Sequence, residues 1–134
     1  MIADYDFKKD EYFVKERLSN GQTLHMIFAP YEKTDNGLYV NICVAVYNKR
    51  KHMGRNEDEK RITGSSPLEA AIIGIKAYDL LEKTIVEQES GPINLVVWWV
   101  DNRRRDAYYS FLKKRGYKFC NCGGKKVLLK HIEK

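Results

Sequence analysis

A capped apolar helix, a stop signal and an unbroken apolar strand follow one another over residues 66–100, and this run constrains the fold more than any other. Ser66 is a good N-cap, Pro67 suits the first helical position, and Glu69 completes a Ser-x-x-Glu capping box. The spacing predicts a helix over residues 67–88. Its polar stripe is narrow, with Glu69, Lys76 and Lys83 at seven-residue spacing, so most of its circumference is expected to be buried. Gly74 costs about 1 kcal/mol relative to alanine in mid-helix, which points to a close packing contact there. Ser90-Gly91-Pro92 stops the helix. Residues 93–100 (INLVVWWV) are continuously apolar, as a central strand covered on both faces requires. Trp98 and Trp99 alternate in direction, so at least one of them is expected in the core.

The flanks complete an α+β pattern. Residues 11–18, 22–29 and 38–47 read as strands of an antiparallel meander. Ser19-Asn20-Gly21 is a hairpin turn signal; Pro30 is expected to end the second strand, and Thr34-Asp35-Asn36-Gly37 is another turn. Residues 48–60 are charged and aperiodic, which predicts an exposed loop, with a short strand after it at 60–63. Asp101-Asn102 opens a second helix over 103–115, ended by Gly116. Strands at 117–120 and 125–132 follow, joined by Asn121-Cys122-Gly123-Gly124. The expected fold is a single domain over residues 1–134, with one mixed, mostly antiparallel sheet and the two helices packed on it. A chain of 134 residues is long enough for one core and too short for two stable ones.

Composition excludes several classes. No apolar run approaches the length of a membrane-spanning helix, and the N-terminus lacks the pattern of a secretory signal, so a cytoplasmic protein is expected. Cys43, Cys120 and Cys122 then read as reduced thiols. Cys120-Asn-Cys122 is a poor zinc spacing and would need His25 or His131 to complete it, so no metal is expected. Charge is uneven. Residues 101–134 hold eleven Lys and Arg against three Asp and Glu, whereas residues 1–100 hold thirteen against fifteen. The C-terminal third is the basic face, and such a face attracts polyanions.

From about residue 60 to 132 the chain resembles the GNAT N-acetyltransferase superfamily. In that family an Arg/Gln-x-x-Gly-x-Gly/Ala loop opens a long helix, and its backbone amides hold the pyrophosphate of acetyl-CoA at the helix N-terminus. The sequence has Arg61-Ile62-Thr63-Gly64-Ser65-Ser66, with Ser66 where the family has Gly or Ala. The family's second helix ends in Phe/Leu-Tyr-x-x-x-Gly-Phe; here it reads Phe111-Leu112-Lys113-Lys114-Arg115-Gly116-Tyr117. Asn102, the counterpart of the family asparagine, lies about one helical turn early, and Leu112 replaces the tyrosine that often protonates the departing CoA thiolate. The resemblance implies a GNAT-like fold and acyl transfer from acetyl-CoA to an amine. It places Arg61, Thr63, Gly64, Ser65 and Ser66 on the pyrophosphate, and leaves Tyr109 or Tyr108 as the acid.

Two other readings compete. A non-catalytic module, such as a phage or mobile-element accessory protein, would bind nucleic acid or a host protein. Its contacts would be Arg103, Arg104, Arg105, Lys113, Lys114, Arg115 and Lys118, with Tyr108, Tyr109 and Tyr117 among them. A ribonuclease H-like nuclease would use Glu69 and Asp101 on two magnesium ions, with Asp35 displaced into a turn.

Overall fold

The computed structural model describes residues 1–48, 67–99 and 101–134. Among them are strands β1 (Asp4–Asp6), β2 (Glu11–Arg17), β3 (Gln22–Thr34) and β4 (Gly37–Asn48), helix α1 (Pro67–Gln88), strand β5 (Ile93–Val97), helix α2 (Asn102–Leu112) with a 3-10 turn at Lys113–Arg115, and strands β6 (Lys118–Cys122) and β7 (Lys125–Ile132). The seven strands form one sheet in the order β1-β2-β3-β4-β5-β7-β6. The β4–β5 pair is parallel, whereas β1–β2, β2–β3, β5–β7 and β6–β7 are antiparallel. A parallel pair needs a crossover, and α1 supplies it. The fold is therefore α+β with a mixed, mostly antiparallel sheet. No helix among the described residues is long and apolar enough to cross a membrane. The expected strand at residues 60–63 and most of the charged loop lie outside the described residues.

The chain divides into two compact units, Met1–Phe28 with Cys43–Gln88, and Ala29–Ile42 with Glu89–Lys134. In the first, α1 packs on β2, and Tyr78 meets Phe28 at 5.7 Å between ring centroids. Alternate residues Leu24, Met26 and Phe28 of β3 are buried, as the period of a half-covered strand demands. The hairpin at Asn20-Gly21 forms: Gly21 takes φ +89°, its N–H donates to Leu18 O, and Leu18 N–H donates to Gln22 O. Glu69 does more than sit in the first turn of α1. Its carboxylate accepts from the Ser19 backbone N–H at 3.1 Å and hydroxyl at 2.8 Å, tying the β2–β3 turn to the helix. Gly74 faces Leu24, whose Cδ1 would lie 3.8 Å from an added Cβ, ordinary packing rather than a forced close approach.

His25 in β3 lies edge-on to Phe13 and Tyr47. Burial first, and then the positive charges of Lys15 and Lys9, hold its pKa down from 6.5 to about 4. The folded imidazole is thus neutral where the unfolded one takes up a proton. Its contribution is fully present above pH 6.5 and is lost as the pH falls towards 4. Because the ring is only part-buried, solvent screening should limit the loss to about 1 kcal/mol. Urea unfolding at pH 7.5 and 4.5 measures it. Replacing His25 by phenylalanine should flatten that part of the profile, and an unchanged slope in the variant would rule the residue out as its source.

In the second unit, every residue of β5 is buried. Asn94 on β5 holds three segments together. Its Nδ2 donates to Asn36 O at 3.1 Å, which leaves Oδ1 to accept from His131 Nδ1 at 2.7 Å. Gly37 lies against the end of α1's connection, where Leu38 N–H donates to Pro92 O at 2.9 Å. Gly37 has φ +119°, and a Cβ there would fall 2.4 Å from Pro92 O. Substitution by alanine is expected to cost at least about 1–3 kcal/mol from backbone strain, before the steric overlap is relieved. A lowered urea midpoint would record it; an unchanged midpoint would mean that the turn rebuilds freely.

Four expectations from sequence need correction. β3 does not end at Pro30. It runs to Thr34, because Tyr12↔Phe28 is the last pair with β2 and the missing proline N–H falls where β2 no longer pairs. The central strand stops at Val97, so Trp98 and Trp99 lie beyond it and neither is buried; Trp98 is 43% exposed. α1 is not covered over most of its circumference, since Leu68, Ile72 and Ile75 on one face are exposed. The last hairpin is longer than expected. β6 extends to Cys122, and only Gly123 and Gly124, at φ +60° and +79°, make the turn.

Candidate functional site

The residues implicated by sequence fall into three groups. Arg61, Thr63, Gly64, Ser65 and Ser66 lie outside the described residues, directly before α1 in the chain. The second group sits on α2 and the turn that follows. Gly116 closes that turn at φ +97°, with its N–H on Lys113 O and the Tyr117 N–H on Leu112 O. A left-handed residue there is what glycine supplies, and it redirects the chain into β6. Leu112, the position of the family tyrosine, is buried, and so is Tyr117. Burial removes Tyr117 from any stacking surface, contrary to expectation. Tyr109 is half-buried. With Asp106, Ser110, Lys113 and Lys114 it lines a concavity of about 540 Å³. Tyr108 is half-buried like Tyr109 but does not line it.

The third group is the basic set, which does not behave as one patch. Arg105 is drawn along the helix to Asp106, with Nε and Nη2 donating to one carboxylate oxygen at 3.1 and 3.0 Å. The Arg115 guanidinium lies 3.9 Å from the centroid of the Phe111 ring. Arg103 is exposed, Arg104 lies within α2, and Lys118 is exposed on β6. Lys113 and Lys114 are brought together at the concavity, with Lys113 Nζ 5.6 Å from the Tyr109 ring centroid.

Sequence reasoning missed the aromatic residues at this end. Phe119 on β6 has Tyr109 at 4.9 Å and Trp99 edge-on at 5.9 Å. Lys126 Nζ is 5.0 Å from the Phe119 centroid, and Lys125 Nζ is 4.7 Å from that of Trp98. The signal was present: Phe119 alternates with Lys118 and Cys120 on a strand that the hairpin leaves at the sheet edge.

The other candidates gain little. Burial, then the neighbouring Cys120 thiol, pushes the Cys122 thiol up, which keeps it protonated and a poor ligand or nucleophile. Among the described residues no group of three or more His, Cys, Asp or Glu is placed to hold a metal ion. Glu69 is engaged by Ser19, Asp35 lies in the β3–β4 turn, and Asp101 O accepts from the Arg105 N–H at the start of α2. Comparison with protein-family models, curated proteins and solved structures finds no match.

Proposed function

We propose that the chain is a GNAT-like N-acyltransferase that moves an acyl group from acyl-CoA to an amine. The order of elements carries this reading. A crossover helix leads into the central strand β5, and α2 then leads into the β6–β7 hairpin, the helix–strand–helix–hairpin layout that the resemblance implies. Two further points support it. The Arg-x-x-Gly segment stands immediately before a helix of 22 residues, whose first N–H groups favour an anion such as a pyrophosphate. Tyr109 opens onto a concavity, as a group that meets a substrate must.

The step is direct. The acceptor nitrogen attacks the thioester carbonyl carbon, the C–S bond breaks, the departing thiolate takes a proton, and the nitrogen loses its surplus proton to solvent, from which the donor is reprotonated. With Leu112 buried and without a proton to give, Tyr109 Oη is the donor in this reading. Melting the protein with and without acetyl-CoA tests it. At a ligand concentration a thousand times the dissociation constant, binding stabilises the fold by about 4 kcal/mol, which raises the melting temperature by many degrees. No shift at millimolar acetyl-CoA would remove the acyltransferase and leave only its architecture.

A further inference from the structure

At the β6–β7 end of the second unit, aromatic rings and ammonium groups alternate on one accessible face. Phe119 lies on β6, an edge strand of the sheet, and is 40% exposed. The register Asn121↔Lys126 and Phe119↔Leu128 puts Lys126 and Phe119 on the same side of the hairpin. The Tyr109 ring is inclined 32° to that of Phe119 with the centroids 4.9 Å apart, so the two rings stack partly over one another and join β6 to α2. Lys126 and Lys113 stand near these two rings, one ammonium to each.

We infer that this face binds single-stranded nucleic acid, with bases stacked on Phe119 and Tyr109 and phosphates held by Lys113 and Lys126. Each element of the inference has its own cause. Phe119 packs on Tyr109 and Trp99 and yet stays 40% exposed, and the exposed part offers a surface on which a base of any sequence can stack. Lysine ammoniums sit on flexible four-carbon stems, so they can leave the ring faces for phosphate oxygens when bases arrive. The charge is complementary, since residues 101–134 carry the chain's positive excess. A duplex hides the faces of its bases, so the rings select a single strand. The inference shares Tyr109 with the proposed acyl transfer but does not need that reaction, and Phe119, Trp99 and Lys126 take no part in that step.

The test uses the full chain and a fluorescein-labelled oligothymidylate of about twelve nucleotides at about 50 mM salt. Replacing Trp98 by phenylalanine leaves Trp99 as the one tryptophan reporter, because the chain has 2. Binding at micromolar affinity should quench Trp99, which lies edge-on to Phe119. Affinity should fall with salt, and Lys126→Gln should lower the log–log slope by about 0.7. Phe119→Ala should weaken binding about 5- to 150-fold, and Phe119→Tyr should restore it. The inference is overturned if the oligonucleotide does not bind, if a duplex or a polyglutamate of equal length binds as tightly, or if Phe119→Ala leaves the affinity unchanged. Acetyl-CoA also carries a base and phosphates, so its melting shift is read in Phe119→Ala as well: a shift that survives there belongs to the proposed cofactor segment and not to this face.

Discussion

Replacing Leu95 by aspartate is expected to leave the chain unfolded. Leu95 lies in the middle of β5, fully buried, paired with Val40 on one side and Lys130 on the other. A carboxylate placed there would lose its hydration and gain no partner, at a cost of several kcal/mol. The leucine's own burial, worth about 1.5–3 kcal/mol, would be lost as well. A domain of this size is stable by only about 5–15 kcal/mol, so the combined loss removes most or all of it. Circular dichroism and a thermal scan would show no cooperative transition. Leu95→Met, which keeps volume and polarity, should cost less than about 1.5 kcal/mol. A folded Leu95→Asp protein would mean that β5 is not the centre of the core.

Replacing Gly64 by glutamate is expected to abolish acetyl-CoA binding while the chain stays folded. In the proposed function the backbone of residues 61–66 approaches a pyrophosphate. A glutamate would put bulk and negative charge where phosphate oxygens lie, and like charges at about 4 Å repel by several kcal/mol near a protein surface. Several kcal/mol is a loss of at least a hundredfold in affinity. The readout is the acetyl-CoA melting shift, which should vanish. The melting temperature without ligand serves as the control for folding and should change little. Retained binding would move the cofactor away from this segment, and loss of the fold in the variant would instead assign the glycine a structural role.

Several elements were legible in the chain. The expected span of α1 matches the structure at both ends, because proline at the first turn and Ser90-Gly91-Pro92 after the last are local signals that need no distant partner. The hairpin at Asn20-Gly21 was legible for the same reason, since glycine takes these backbone angles at little cost, and the last hairpin was legible in its place but not in its two-residue turn. The short β1 was not seen, because three residues carry no periodicity. Trp98 and Trp99 were misjudged because apolarity reports what a residue would gain from burial, not where a strand leaves its sheet, and β5 leaves it at Val97 although β4 and β7 both run on. β5 pairs only as far as Val97, with Ile42 and Leu128. The exposed Leu68, Ile72 and Ile75 make the same point on a helix, since apolar residues often stay on surfaces.

The candidate site divides along the same line. Sequence alone supplied the Arg-x-x-Gly segment before a helix, the basic excess of residues 101–134 and a pair of adjacent tyrosines, all read from residues next to one another. It determined the helices, the first hairpin turn and the order of the described strands after β1, because caps, turn residues and periodicity act over a few positions. Only the tertiary structure decided that β5 has a parallel neighbour on one side and an antiparallel one on the other, and that Leu112 and Tyr117 are buried while Tyr109 is not. It alone drew Phe119, Trp99 and Lys126 onto one face and Glu69 to Ser19, fifty residues away. Such contacts are set by which strands pair and in what register. That choice is governed by the burial of the whole core, and no short stretch of the chain carries it.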